Sequence, residues 1–331
     1  MTICKSRKTL LAALCIAAAT PGTAQEPPPA PSVEAVAGET VTIPFAPPLG
    51  TPVTYAVRFE RKRSDGDSVT DFSQRLVFDK IDGGYVLRLE MLTLIAGGQR
   101  TDLTDPRVLD EVPVGLRPYL MAMTVELDAS GAMVRMRDWD ATRKALRQLP
   151  EAAAAMSDRP VDDVQLTMIR RVLAPIMNAS AEEAPDIMIR GWPGVLGFGG
   201  AAFVPGETVE TDTQITGGML PEPIPAVVQG SLTRTPAGEL RLFQSTLIDP
   251  EDMRAATVKL VERLRAQNPE KGDTASQDAN ASISMTDDVD IAFDPLTGLP
   301  VTARLTRITR VMTDSESQLR GEITTIRRLG P

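Results

Sequence analysis

The chain of 331 residues has no histidine and only two cysteines, Cys4 and Cys15. Both cysteines fall in an N-terminal stretch, residues 1–24, that reads as a secretory signal. Lys5, Arg7 and Lys8 form its basic start, Leu10 to Ala19 its apolar run, and Gly22 and Ala24 the small residues ahead of Gln25. Cleavage between Ala24 and Gln25 is expected, leaving 307 residues with neither Cys nor His. These absences exclude Ser-His-Asp and Cys-His catalysis, zinc fingers, c-type haem and iron–sulfur clusters. They also exclude disulfides, so an exported chain must rely on its core. At about 300 residues a chain buries roughly 75% of its unfolded surface, which suffices.

Long apolar runs are missing too. The run in the signal is about ten residues, half of the ~20 that span a bilayer, and no later stretch approaches it, so no transmembrane span is expected in the mature chain. Leu14 directly precedes Cys15 where a lipid anchor needs small residues, so a free periplasmic or secreted protein is expected. Basic charge is scarce: loss of the three signal cations takes the net charge from −9 to −12, which argues against nucleic acid as a partner. Aromatics number 13 (Trp 2, Tyr 3, Phe 8), few for the platforms of a sugar site. No Ser-x-x-Lys or Gly-x-Ser-x-Gly occurs. No catalytic residue, metal site or cofactor is expected, so the protein is read as no enzyme. A carboxylate-based hydrolase is the third-ranked alternative, with Asp102, Asp105, Asp110 and Glu111 as its densest acidic cluster.

What is present is period-two alternation. Val53, Tyr55, Val57 and Phe59 alternate with Thr54, Ala56, Arg58 and Glu60. Tyr119, Met121, Met123, Val125 and Leu127 form a second such series, and Ile283, Met285, Val289, Ile291 and Phe293 a third. One apolar and one polar face predict antiparallel sheet with one side in water. Turns at Asp82-Gly83-Gly84, Asp128-Ala129-Ser130-Gly131, Pro236-Ala237-Gly238 and Asp294-Pro295-Leu296-Thr297-Gly298 link the strands into hairpins. About twelve strands are expected between Thr40 and Arg328, with residues 201–215 as one of them.

Helices interrupt the strands twice. Asp249-Pro250-Glu251-Asp252 combines an N-cap, a first-turn proline and acids at the positive end of the dipole. Residues 138–190 read as a helical insertion broken by Pro150, Pro160, Pro175 and Pro185, clearest over Val161 to Met177, where apolar residues recur at three- and four-residue steps. Residues 25–38 are a proline-rich spacer, residues 268–280 a polar loop, and residues 39–331 are expected to form a single domain. Twelve strands present a face of about 1,900 Å², whereas some sixty helical residues cover only about 900 Å². The sheet is therefore expected to curl around its helices, an α+β half-barrel. Such an exported chain of long hairpins, with helices inserted midway and the late Asp294–Gly298 turn, resembles the half-barrel superfamily of periplasmic lipoprotein carriers (the Lol type). The resemblance implies a curved sheet with an apolar ligand on its inner side.

The candidate site follows from two features. Gly191-Trp192-Pro193-Gly194, with Gly197, Gly199 and Gly200, lacks the strand-then-helix setting of a dinucleotide loop. It reads either as a corner between helices and sheet or as a rim placing Trp192 and Phe198 at a cavity mouth. The helix from Val161 carries more apolar positions than one stripe needs, so Met168 and Val172 are candidate ligand-lining residues, methionine suiting varied shapes. The expected function is binding of a lipid, another apolar ligand or an envelope protein. The alternative is a structural scaffold whose cavity is plugged by its own helices.

Overall fold

The computed structural model describes residues 39–64, 66–112, 114–156, 162–189, 191–215, 222–235, 238–267, 282–312 and 317–330. The segments read from sequence as signal (1–24), spacer (25–38) and polar loop (268–280) lie outside the described residues. Twelve strands form one open antiparallel sheet: β2 (Val53–Arg63), β3 (Ser68–Ile81), β4 (Gly84–Ala96), β5 (Gln99–Asp102), β6 (Met123–Asp128), β7 (Met133–Met136), β9 (Thr208–Ile215), β10 (Ile224–Arg234), β11 (Leu240–Leu247), β12 (Ser282–Phe293), β13 (Pro300–Met312) and β14 (Ser317–Arg328). The spatial order is β7-β6-β4-β3-β2-β14-β13-β12-β11-β10-β9, with β5 beside the end of β4. The last strand thus lies against β2, so the two halves of the chain meet at the centre of the sheet. A separate short pair joins β1 (Val41–Thr42) to β8 (Ala202–Phe203).

Alternation assigns the faces as expected. On the concave side Tyr55 and Val57 of β2, Leu76 and Phe78 of β3, Ile326 of β14, Ala303 of β13, Ile291 and Phe293 of β12 and Leu242 of β11 are buried. They join one cluster that extends from Ile43 to Ile326. On the convex side the alternate positions carry cross-strand ion pairs in water, such as Arg58–Asp71, Arg75–Glu90 and Arg241–Asp290. Such exposed pairs contribute little stability each, but they keep that face soluble.

The helices are α1 (Pro106–Glu111), a 3₁₀ helix (Val114–Tyr119), α2 (Trp139–Leu146), α3 (Leu149–Met156), α4 (Asp163–Asn178), α5 (Ala184–Met188) and α6 (Pro250–Gln267). A second apolar cluster, built on Leu94, Leu103, Val112, Leu116, Leu120 and Leu149, covers the far end of β3 and β4, where Phe72 and Met91 pack against it. Helix α4 serves both clusters: Ile176 and Met177 pack on the main core and Leu173 on the second. Its apolar surplus therefore has two protein surfaces to meet, although Val164 near its start is exposed. Asp249 caps α6 through a 2.7 Å bond from the Glu251 amide to Oδ1, and α6 lies against β10 and β12.

Three expectations change. The alternation from Tyr119 starts too early: Val114–Tyr119 is a 3₁₀ helix, Met121 is exposed, and β6 begins only at Met123. Residues 201–215 are two strands, because a turn at 204–207 sends β8 to β1 and β9 to β10. Pro175 does not break its helix. It falls in the last turn of α4, where the missing N–H leaves only the Arg171 carbonyl without its ladder bond. Pro150 and Pro185 sit in the first turns of α3 and α5, where that donor is not needed.

Candidate functional site

The concave face divides along the strands into a plugged end and a half-open end. At the plugged end the chain leaves α5 and turns at Gly191, whose φ of +87° favours glycine. A Cβ at 191 would also sit 3.0 Å from Thr324, and one at 194 would meet Leu305 at 2.7 Å. The corner is thus pressed onto β13 and β14. It drives Trp192 into the core, 1% exposed. The indole stands edge-on to Tyr55 with ring centroids 4.9 Å apart. Its Nε1–H donates to Oε1 of the buried Gln74 at 2.7 Å. Tyr55 and Gln74 are cross-strand partners on β2 and β3, so one side chain clamps two strands.

Tyr55 faces Arg328 across the β2–β14 register. Burial raises the Tyr55 pKa, and the nearby guanidinium acts in the opposite direction. Arg328 in turn donates from Nη1 to Asp294 Oδ2 at 2.9 Å and from Nη2 to the Leu299 carbonyl at 3.1 Å. Asp294 Oδ1 accepts the amides of Leu296 and Thr297. The Asp294–Gly298 turn is therefore a structural latch on the last strand.

At the margin of the plug, where Gly194 meets Leu305, the concave row shared with Thr324 is half-buried at Phe59, Leu305 and Val289, which form an apolar floor on β2, β13 and β12. Past that floor the next register position on four adjacent strands is charged, with alternating sign: Arg61, Glu322, Arg307 and Asp287. Arg61 Nε lies 3.4 Å from Glu322 Oε1, and its guanidinium carbon lies 5.0 Å from the Phe59 ring centroid. Arg307 pairs with Asp287 through both Nε and Nη2. The second apolar cluster covers one flank of this trough, and α6 lies on strands β10 and β12 at the other. The trough combines an apolar strip with a paired, polarisable row at its end. Among the described residues it holds no nucleophile–base pair.

The site residues expected from sequence fare as follows. Trp192 is buried, and its ring and its donor are both engaged by protein groups. Phe198 is half-buried and packs edge-on to Phe293, with centroids 5.8 Å apart. The two sit on one corner and face the core. Met168 and Val172 lie on α4, and their side chains lie outside the described residues. Apart from these expected residues, the acids of β12 and of the turn after it each have their own partner: Asp287 with Arg307, Asp288 with Ser245, Asp290 with Arg241 and Asp294 with Arg328. Asp102 and Asp105 cap local turns at Thr104 and Arg107. The charged row was not anticipated. Its signal is that the core-facing alternation turns charged at the same end of each strand: Phe59 to Arg61, Thr324 to Glu322, Leu305 to Arg307 and Val289 to Asp287.

An open groove of about 770 Å³ also runs beside α2, lined by Arg135, Arg137, Trp139, Arg143 and Ser180 among others. Its cations are internally neutralised: Glu126 accepts from both Arg135 and Arg137, and Asp140 accepts from Arg143. Trp139 beneath it is buried and donates to the Ala179 carbonyl at 2.8 Å.

No family model and no curated protein matches the chain. Among solved structures, it aligns with one reported as lipid–protein interactions in lipovitellin at TM-score 0.42 and 7% identity, over 86% of this chain and 25% of that one. The chain thus spans about a quarter of the lipovitellin chain. A MucA/MucB complex from Pseudomonas aeruginosa aligns at TM-score 0.14 and 10% identity, over 85% and 95% of the two chains. A protein of unknown function from Nostoc punctiforme, of the DUF3598 family, aligns at 0.12 and 12%, over 85% and 96%. At TM-scores under 0.5 none of these likenesses bears on ligand or partner. The description that stands is architectural: an open, twelve-stranded antiparallel sheet with helices on its concave side.

Proposed function

We propose that the protein is exported to the periplasm and there binds an amphipathic molecule of the envelope, such as a lipid, without catalysis. The observation that carries this reading is the half-open end of the concave face. Phe59, Val289 and Leu305 are half-buried beside a charged row, so an acyl chain can cover the floor while its polar end meets Arg61, Glu322, Arg307 and Asp287. Covering such a floor is favourable at about 25 cal/mol per Å² of apolar surface, and paired charges accept a polar head more cheaply than an apolar wall does. The absence of His, the absence of Cys from the expected mature chain, and the use of Asp102, Asp105, Asp287, Asp290 and Asp294 in caps and ion pairs support a non-catalytic role. The test is mass spectrometry of organic extracts from the native exported protein. A co-purifying lipid in stoichiometric amount is expected, and an empty extract counts against the reading.

A second reading, a structural envelope scaffold, is favoured by one observation: the Trp192 corner fills the plugged end with the protein's own side chains. An empty extract together with unimpaired folding would favour it.

A further inference from the structure

The two outer edges of the sheet are treated differently. At one edge β7 is four residues long and is covered: the Met136 amide donates to the Ala181 carbonyl at 2.8 Å, and α5 packs on it. At the other edge β9 runs for eight residues, Thr208 to Ile215, and every residue from Thr208 to Gln214 is exposed. Among the described residues β9 pairs only with β10. Its outer side therefore carries backbone donors and acceptors with no strand partner among the described residues. Edge strands are usually shielded by lysine, proline, a bulge or a covering element. In β9 there is no lysine, no proline and no irregularity in the register with β10.

Its two faces have distinct chemistry. Val209, Thr211, Thr213 and Ile215 share the concave face with Gly230 and Val228 of β10. Thr208, Glu210, Asp212 and Gln214 share the convex face with Gln229 and Val227. With Glu207 just before it, the edge carries three acids and no base. A second copy of the strand is a poor occupant: antiparallel pairing that keeps the two faces matched sets either Glu210 opposite Asp212 twice or Asp212 opposite itself, and like charges directly opposite destabilise a pair.

We propose that β9 is a docking edge for an extended segment of another protein that alternates apolar and basic residues, added to the sheet as an outer strand. Backbone pairing supplies the affinity in this mode and alternate side chains the selectivity. The apolar residues of the partner lie beside Val209, Thr211 and Thr213, and its lysines or arginines lie beside Glu210 and Asp212. The acids that disfavour self-pairing thus select the partner. This is independent of the lipid reading, since β9 lies at the sheet edge, away from the strands of the trough.

The experiment uses the full exported chain and two synthetic peptides of about ten residues, enough to pair along the whole strand, one alternating valine with lysine and one alternating valine with glutamate. Binding is followed by fluorescence anisotropy and by amide hydrogen exchange. The lysine peptide is expected to bind at least about tenfold more tightly than the glutamate peptide, and to slow exchange at residues 208–215. In Glu210→Lys/Asp212→Lys the preference is expected to reverse, an outcome that misfolding does not produce. The proposal is overturned if neither peptide binds, if the variant keeps the original preference, or if protection falls elsewhere. It is also overturned if the chain alone dimerises through these same amides.

Discussion

The indole N–H of Trp192 donates to the side-chain oxygen of Gln74 across 118 residues of chain, at 2.7 Å. Both groups are buried, so each depends on the other for satisfaction. Trp192→Phe keeps most of the apolar volume but leaves the Gln74 amide without its donor, which is expected to cost about 1–3 kcal/mol. Adding Gln74→Leu removes the stranded polar group and should recover part of that loss. Urea denaturation of the two single variants and the double variant measures this. Full additivity of the single losses would show that the bond does not couple the two sites.

Gly298 and Gly50 both adopt left-handed backbone, at φ +66° and +63°, but their surroundings differ. A Cβ at Gly298 would fall 1.7 Å from the Pro44 carbonyl oxygen, whereas nothing lies within 4 Å of one at Gly50. Gly50→Ala should therefore show backbone strain alone, about 1–3 kcal/mol, and Gly298→Ala should be distinctly worse. Thermal melts of the pair check this. Equal losses would mean that the N-terminal segment yields at no cost.

Burial by itself would raise the pKa of Asp294, but the amides of Leu296 and Thr297 and the Arg328 guanidinium outweigh it and hold the carboxyl below its ordinary value. A depressed folded-state pKa adds stability that is present above the unfolded value, about 3.9 for aspartate, and is lost as the pH falls through the folded value. Asp294→Asn is expected to lower stability at neutral pH and to converge on the parent as acid is added. Urea midpoints measured from pH 7 down to pH 3 should show the gap closing. A gap that persists or widens in acid would contradict the latch.

Export with removal of residues 1–24 is expected from the basic start, the short apolar run and the small residues before Gln25. Intact-mass measurement of the exported protein should give a chain beginning at Gln25. Retention of Met1 and a cytoplasmic location would remove the periplasmic setting of the proposed function.

The sheet was legible because burial on one face writes itself into local alternation: Tyr55 and Val57, or Ile291 and Phe293, are legible as core without knowing their neighbours. Hairpin turns such as Asp82-Gly83 and Asp294–Gly298 are equally local. Near Tyr119 the same rule overreached, since a 3₁₀ helix containing Pro118 also spaces its apolar residues closely. The site was less legible because it arises from long-range register. The glycine corner announced a bend, but nothing near Trp192 indicated that its donor would find Gln74. Arg61, Glu322, Arg307 and Asp287 become one row only after β2, β14, β13 and β12 are set side by side.

The most direct measurement of the central claim is a titration with a long-chain fluorescent fatty acid, comparing the parent with Phe59→Ala on the trough floor and Phe243→Ala on the exposed convex face. Saturable binding is predicted for the parent, unchanged affinity for Phe243→Ala, and a loss of about tenfold for Phe59→Ala, in line with removing one aromatic contact of about 1.4 kcal/mol. Absence of saturable binding in the parent, or equal affinity in all three proteins, would contradict it.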